Sequence, residues 1–192
     1  MPAYCNGDVS TPMGKLRAVN GHPEPYNVIY WGVGNEVYGN YQLGHTDAKT
    51  YAGKLIKIIS KMKKCDPKIK IIASGYGLHN KYREPDNDWN EIVLKIDGSK
   101  IDMIDMHTYV HGPNEKKFIS KKISKTDLQK AFLSSNLGLE IFCDYLKKLL
   151  KSQPSTKNVK MVMLEWAILP SVWEGSPRRS TFANALIACI FL

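Results

Sequence analysis

The 192-residue chain is 43% hydrophobic and 23% charged, the balance of an ordinary water-soluble protein long enough to bury a sizeable core as one domain. Its formal net charge of +9 invites a nucleic-acid reading, but the lysines are placed against it. Lys54, Lys57, Lys61 and Lys64 recur at helical spacing opposite Leu55, Ile58, Ile59 and Met62, a solvated helix face and not a phosphate-binding stripe, and no apolar run approaches the roughly 20 residues that cross a bilayer; neither nucleic acid nor membrane is expected as a partner.

In chain order, the start Met1-Pro2-Ala3-Tyr4-Cys5-Asn6-Gly7-Asp8 has neither a basic region nor an apolar core, so it does not read as a secretory signal. After about residue 27, strand-like and helix-like segments alternate. Val28–Val33 is an apolar run read as a buried strand, closed by Gly34-Asn35-Glu36. Asp47–Lys64 is amphipathic at helical period with Thr46 as N-cap. Ile69–Ser74 reads as a buried strand stopped by Gly75, and Asp88–Ile96 as a short helix. Ile101–His107 is the third strand, and Gly112–Lys125 is a lysine-rich loop. Thr126–Lys151 holds one helix or two, Val159–Glu165 is the fourth strand, and Arg179–Leu192 reads as a helix still apolar at its last residue.

Strands alternating with helices predict an α/β fold of parallel βα units. An open doubly wound sheet and part of a (β/α)8 barrel both fit. No Gly-rich phosphate loop follows any strand, which weakens the nucleotide-binding form of the first. A complete barrel takes about 250 residues and eight units. The expectation is therefore a partial (β/α)8 TIM barrel of about four βα units, with residues 1–192 as the central part of a catalytic domain truncated at both ends. Cys5, Cys65, Cys143 and Cys189 are widely spread without a CxxC pair, so free, mostly buried thiols are expected and no metal site.

Candidate chemistry gathers at the predicted strand ends: Asn35-Glu36, Ser74-Gly75, His107 with Tyr109, and Glu165-Trp166. Parallel α/β folds bind ligands at the carboxyl ends of their strands, because the loops there converge. An Asn-Glu pair alone most simply opens a solvated loop, and a lone histidine is most simply a hydrogen-bonded structural one. Glu165 is different, because it closes the apolar run Met161-Val162-Met163-Leu164 and precedes Trp166-Ala167-Ile168-Leu169. A carboxylate so flanked is costly unless partnered. Trp31 and Trp166 fit a core, and Trp166 fits equally a surface that stacks on a sugar ring. Two strand-end carboxylates suit glycoside hydrolysis, in which one protonates the leaving oxygen and the other attacks, with Asn35 holding a substrate hydroxyl; a separation of about 5–5.5 Å would imply retention.

The run Asn20-Gly21-His22-Pro23-Glu24-Pro25-Tyr26-Asn27-Val28, followed by Tyr30-Trp31-Gly32-Val33-Gly34-Asn35-Glu36, closely resembles the α-L-arabinofuranosidases of glycoside hydrolase family 51. Gln42-Leu43-Gly44-His45 and Tyr4-Cys5-Asn6-Gly7 add to the likeness, which runs from Tyr4 to the final helix and is densest over residues 14–45. The resemblance implies a retaining (β/α)8-barrel glycosidase with Glu36 as acid/base and Asn35 as its substrate-binding neighbour. It implies Glu165 as nucleophile and His107 and Tyr109 as residues beside it; Trp166 and Trp31 are expected to bind substrate as aromatic surfaces. Leu164 stands where the family usually has Asp, and Ala167 where it usually has Asn. The match covers strands four to seven of the family barrel.

The implied reaction releases terminal arabinofuranose from arabinan, arabinoxylan or their oligosaccharides by double displacement. The implied cofactor set is none, and the implied setting is cytoplasmic, with a homo-oligomeric full-length parent. Another retaining glycosidase of the clan, an endoglucanase or β-xylosidase, shares the Asn-Glu and late-Glu pattern. A carbohydrate-binding remnant without turnover is the reading from outside enzymology, and a half-barrel on its own is expected to be impaired because its two open strand edges invite aggregation.

Overall fold

A computed structural model describes residues 1–77, 88–111 and 140–169, the side chains of 110–111 and 167–169 excepted. The predicted loop 112–125, the helical residues 126–139 and 179–192, and Cys189 lie outside the described residues. In chain order the elements are α1 (Pro2–Asn6), α2 (Pro12–Val19), β1 (Tyr30–Val33), α3 (Ala48–Cys65), β2 (Lys70–Ser74), α4 (Trp89–Asp97), β3 (Met103–His111), α5 (140–151), a 3₁₀ turn Pro154–Thr156 and β4 (Lys160–Leu169). The strands form one sheet in the order β1-β2-β3-β4. β1 runs parallel to β2 with Tyr30 beside Lys70 and Val33 beside Ala73, and β2 parallel to β3 with Ser74 beside Asp105.

The chain divides into two compact units. The first comprises Met1–Tyr76, Pro85–Asp105 and Leu150–Val162; the second comprises Gly77–Glu84, Met106–Leu149 and Met163–Leu192. In the first, α3 and α4 pack against each other, and Leu55, Ile59, Ile71, Ala73, Val93, Leu94 and Ile104 make the core. Lys54, Lys57, Lys61 and Lys64 are exposed, as their spacing predicts. The cap of α3 is Asp47 and not Thr46: the Asp47 carboxylate accepts from the Thr50 amide at 2.8 Å, while the Thr46 amide is engaged by the Val37 carbonyl at 2.9 Å.

Two findings concern the amino-terminal third. The segment before residue 27, where the sequence reading names no element, holds two helices: Thr11 caps α2 by accepting from the Gly14 amide, with Pro12 at the first helical position. Arg17 of α2 is fully buried and donates to the carbonyls of Tyr4, Gly7, His22 and Pro23 at 2.6–2.9 Å, binding the segments around it into one body. Secondly, β1 is not a buried strand. Ile29 and Tyr30 are more than half exposed, while Val33 at the other end of the strand is buried.

The cysteines also differ from expectation: Cys5, Cys65 and Cys143 are free, but Cys65 is exposed and the others are half-buried. Among the described residues, no helix is long and apolar enough to cross a membrane. At the end of α4, Asp97 is fully buried, and neither of its carboxylate oxygens has a hydrogen-bond partner among the described residues. Burial pushes its pKa up to about 6, against the opposing pull of Lys100.

Candidate active site

The parallel register carries Val33 and Ser74 to the same edge of the first unit, and Tyr51 of α3 locks them there. Its buried hydroxyl donates to the Val33 carbonyl at 2.6 Å and accepts from the Ser74 amide at 2.8 Å. Burial raises the phenol above its usual range, so it stays protonated and able to donate. Its ring stacks on Trp89, whose indole N–H donates to the Ser74 carbonyl. Asn90 then holds Tyr76 by both backbone groups, accepting from its amide at 2.7 Å and donating to its carbonyl at 2.9 Å. Sequence reasoning passes over these residues because their partners are remote in the chain.

From Val33 the chain turns through Gly34, at φ 90°, into Asn35 and Glu36. Glu36 itself lies in the left-handed region at φ 45°, a conformation costing a non-glycine residue about 1–2 kcal/mol and found disproportionately at functional sites. It is nonetheless buried, at 7% exposure, and its Oε2 accepts from the Tyr41 hydroxyl at 2.6 Å. A solvated loop glutamate would have neither property. Asn35 is exposed beside it. Trp31 points its indole N–H to the Val28 carbonyl at 2.9 Å, so its polar end serves the strand.

In the second unit, β3 and β4 bring His107, Tyr109 and Glu165 together. The Tyr109 hydroxyl donates to Glu165 Oε2 at 2.6 Å, and His107 Nδ1 lies 3.6 Å from the same oxygen. The latter is an electrostatic neighbour, beyond hydrogen-bond reach. His107 is buried at 3% exposure, and a Cβ on Gly77 would fall 1.8 Å from its carbonyl oxygen, so only glycine lets the chain pass there. Glu165 therefore has the partner its apolar flanks require. It is also less enclosed than they suggest, because Leu164 and Trp166 beside it are 51% and 42% exposed. The open Trp166 indole offers a flat apolar face of the kind that stacks on sugars.

A carboxylate held by a short charge-assisted bond from a tyrosine has the bonded oxygen fixed in place. The arrangement occurs twice, at Glu36 and at Glu165. Each fits proton transfer or nucleophilic attack.

The family model for the α-L-arabinofuranosidase 1 domain matches residues 2–129. The chain is similar to α-L-arabinofuranosidase C of Emericella nidulans, with 35% identity over 114 residues, covering 55% of this chain and 21% of that one. It is similar to the intracellular exo-α-(1→5)-L-arabinofuranosidase 1 of Bacillus subtilis, with 30% identity over 173 residues, 90% of this chain and 32% of that one. Among solved structures, the α-L-arabinofuranosidase of Thermotoga maritima in its arabinose complex superposes with a TM-score of 0.68 and 31% identity, over 98% of this chain and 35% of that one. The family 51 enzyme of Thermotoga petrophila gives a TM-score of 0.70 and 30% identity over 97% and 35%. The chain thus spans about a fifth to a third of the length of these relatives.

Proposed function

The chain belongs to the α-L-arabinofuranosidases of glycoside hydrolase family 51, and from that premise we propose that it carries the two catalytic carboxylates of a retaining arabinofuranosidase. Its strands would be four consecutive units of a (β/α)8 barrel. Glu36 is the acid/base and Glu165 the nucleophile, and the substrates are arabinose-containing oligo- or polysaccharides with a terminal arabinofuranosyl residue. The observation that carries this reading is the pair of strand-end glutamates, each with Oε2 fixed by a tyrosine hydroxyl at 2.6 Å.

In the first displacement, a free Glu165 oxygen forms a bond to the anomeric carbon as the carbon–oxygen bond to the leaving group breaks, and Glu36 gives that oxygen its proton. In the second, Glu36 takes a proton from water, whose oxygen replaces Glu165 at the anomeric carbon. Asn35 serves as a hydroxyl ligand, Trp166 and Trp31 as aromatic walls, and His107 with Tyr109 as the setting of the nucleophile. The B. subtilis relative is named intracellular, and we assign this chain to the cytoplasm on the same basis.

An activated 2-fluoro-arabinofuranoside, which traps a glycosyl-enzyme, tests the assignment without requiring turnover. Mass spectrometry is expected to find one added glycosyl unit on the peptide containing Glu165 and none in Glu165→Gln. Label on another residue would sink the nucleophile assignment. Faster labelling by the corresponding xyloside or glucoside would sink the substrate class.

A further inference from the structure

We propose that Tyr51 is a positioning residue of the acid/base: from inside the core it holds the end of β1 and the glycine turn that delivers Glu36. The proposal rests on the acid/base reading of Glu36 and adds to it the residue that sets where the turn stands.

Glu36 lies on a closed circuit of contacts within the first unit. The outward path runs from Val33 through Gly34, at φ 90°, to Glu36, at φ 45°. The return path is short. The Gly39 amide donates to the Glu36 carbonyl at 2.7 Å, and the Thr46 amide to the Val37 carbonyl at 2.9 Å. Asp47 then caps α3, and the Tyr51 amide donates to the Asp47 carbonyl at 2.9 Å. The Tyr51 hydroxyl closes the circuit by donating to the Val33 carbonyl at 2.6 Å, 18 residues back. The same ring also reaches the turn itself. A Cβ on Gly34 would sit 3.3 Å from Tyr51 Cε2 and 3.2 Å from Val37 Cγ1, so the turn is confined between the phenol and the Val37 side chain.

The holder is better fixed than the turn it holds. Tyr51 is buried at 5% exposure, whereas Gly34 and Asn35 are exposed. Its ring stacks on Trp89 with centroids 5.4 Å apart, and its hydroxyl accepts from the Ser74 amide at 2.8 Å, which anchors it to β2. A non-glycine residue at φ 45° persists only where its surroundings over-determine it, and Tyr51 ties those surroundings to the core. The chemistry needs such a holder. A general acid must reach the leaving oxygen within hydrogen-bond distance, and a misplacement of about 1 Å costs about a hundredfold in rate. Tyr51 acts through Val33 and Gly34, not on the reacting atoms.

The test is carbon-13 NMR of the side-chain carboxyls in the 192-residue chain, with the Glu36 signal identified by its loss in Glu36→Gln. In Tyr51→Phe that signal is expected to move or split. The Gly39 amide, which reports on the turn, is expected to exchange with solvent roughly tenfold faster relative to the Gly98 amide at the end of α4. Ile59→Ala opens a core cavity two turns further along α3 and lowers stability without removing either Tyr51 bond; it is expected to leave the Glu36 signal and the ratio of the two amides as they are in the native chain. An unmoved Glu36 signal or an unchanged amide ratio in a folded Tyr51→Phe chain overturns the proposal, as do equal changes in Ile59→Ala. Should Tyr51→Phe not fold, Gly34→Ala carries the test. It presses a methyl against the Tyr51 ring, and the Glu36 signal is expected to move; an unmoved signal overturns the proposal. Failure of the underlying reading looks different: the activated 2-fluoro-arabinofuranoside would label Glu36 in place of Glu165, whatever the carboxyl spectra show.

Discussion

Replacing Asp97 by Asn removes a buried charge while keeping shape, and the stability change is expected to depend on pH in a defined way. The Asp97 carboxyl is fully enclosed at the end of α4, with neither oxygen partnered among the described residues. Burial raises its pKa from 3.8 to about 6, Lys100 working in the opposite direction. The folded state thus prefers the protonated acid, and ionisation opposes folding. Below pH 3.8 the acid is neutral in both states and imposes nothing. Between 3.8 and about 6 the unfolded chain releases the proton first and stability falls; above that window the loss is complete. At about 1.4 kcal/mol per pH unit, the gap between 3.8 and about 6 amounts to about 3 kcal/mol. The amide of Asn brings a burial cost of its own, but that cost does not vary with pH. The diagnostic quantity is therefore how the stability of Asp97→Asn relative to the native chain changes with pH, measured by urea unfolding. The variant is expected to gain about 2–3 kcal/mol on the native chain between pH 4 and pH 7.5. A difference that stays flat over that range would refute the argument that Asp97 is held uncompensated.

Three further substitutions probe the framework around the candidate site. Tyr51→Phe leaves the Val33 carbonyl and the Ser74 amide buried without their shared partner, and a loss of about 2–4 kcal/mol in urea unfolding is expected; a loss below 1 kcal/mol would contradict it. Arg17→Met strips the carbonyls of Tyr4, Gly7, His22 and Pro23 of their donor, a loss on the order of 3–5 kcal/mol, with new proteolytic cuts expected between residues 4 and 23. Gly77→Ala pushes a methyl against the His107 carbonyl and is expected to cost about 1–3 kcal/mol and to shift the His107 imidazole signals in NMR, whereas unchanged signals would place Gly77 outside the setting of that residue.

The alternation of strands and helices was legible in the sequence because apolar period is local. The strands appear where the apolar runs place them, with ends moved by one to a few residues, as at Lys70–Ser74 against 69–74. Enclosure was not legible. An apolar run says that a strand has an apolar face without saying whether the other face is covered, so Tyr30 and Leu164 are exposed against expectation, and Trp166, which fits a core or a sugar-stacking surface equally, is exposed too. The helices before residue 20 are too short to show apolar period, although Thr11-Pro12, a cap followed by proline, announces one of them. At the candidate site, the strand-end residues could be picked out one by one. Of their holders, Tyr109 is set beside Glu165 only by the family resemblance, since the two meet across 56 positions, and Tyr51, which meets Ser74 across 23, is not reached at all; no spacing rule operates over such distances.

The two glutamates are held by the same bond but by different architecture, and the difference suits the two roles proposed for them. Glu165 takes its hydroxyl from a neighbouring strand, with His107 of that strand also at 3.6 Å, so its position is set by the sheet. A nucleophile that must stay within bonding distance of one carbon gains from being fixed to the most rigid element available. Glu36 takes its hydroxyl from Tyr41, five residues on in the same turn, and is buried in a strained conformation by a loop that glycine makes possible. An acid/base must serve two oxygens in succession, the leaving group and then water, and a carboxyl gripped within its own turn keeps one orientation for both. On the roles proposed, the sheet would set where attack occurs and the loop would orient the acid/base.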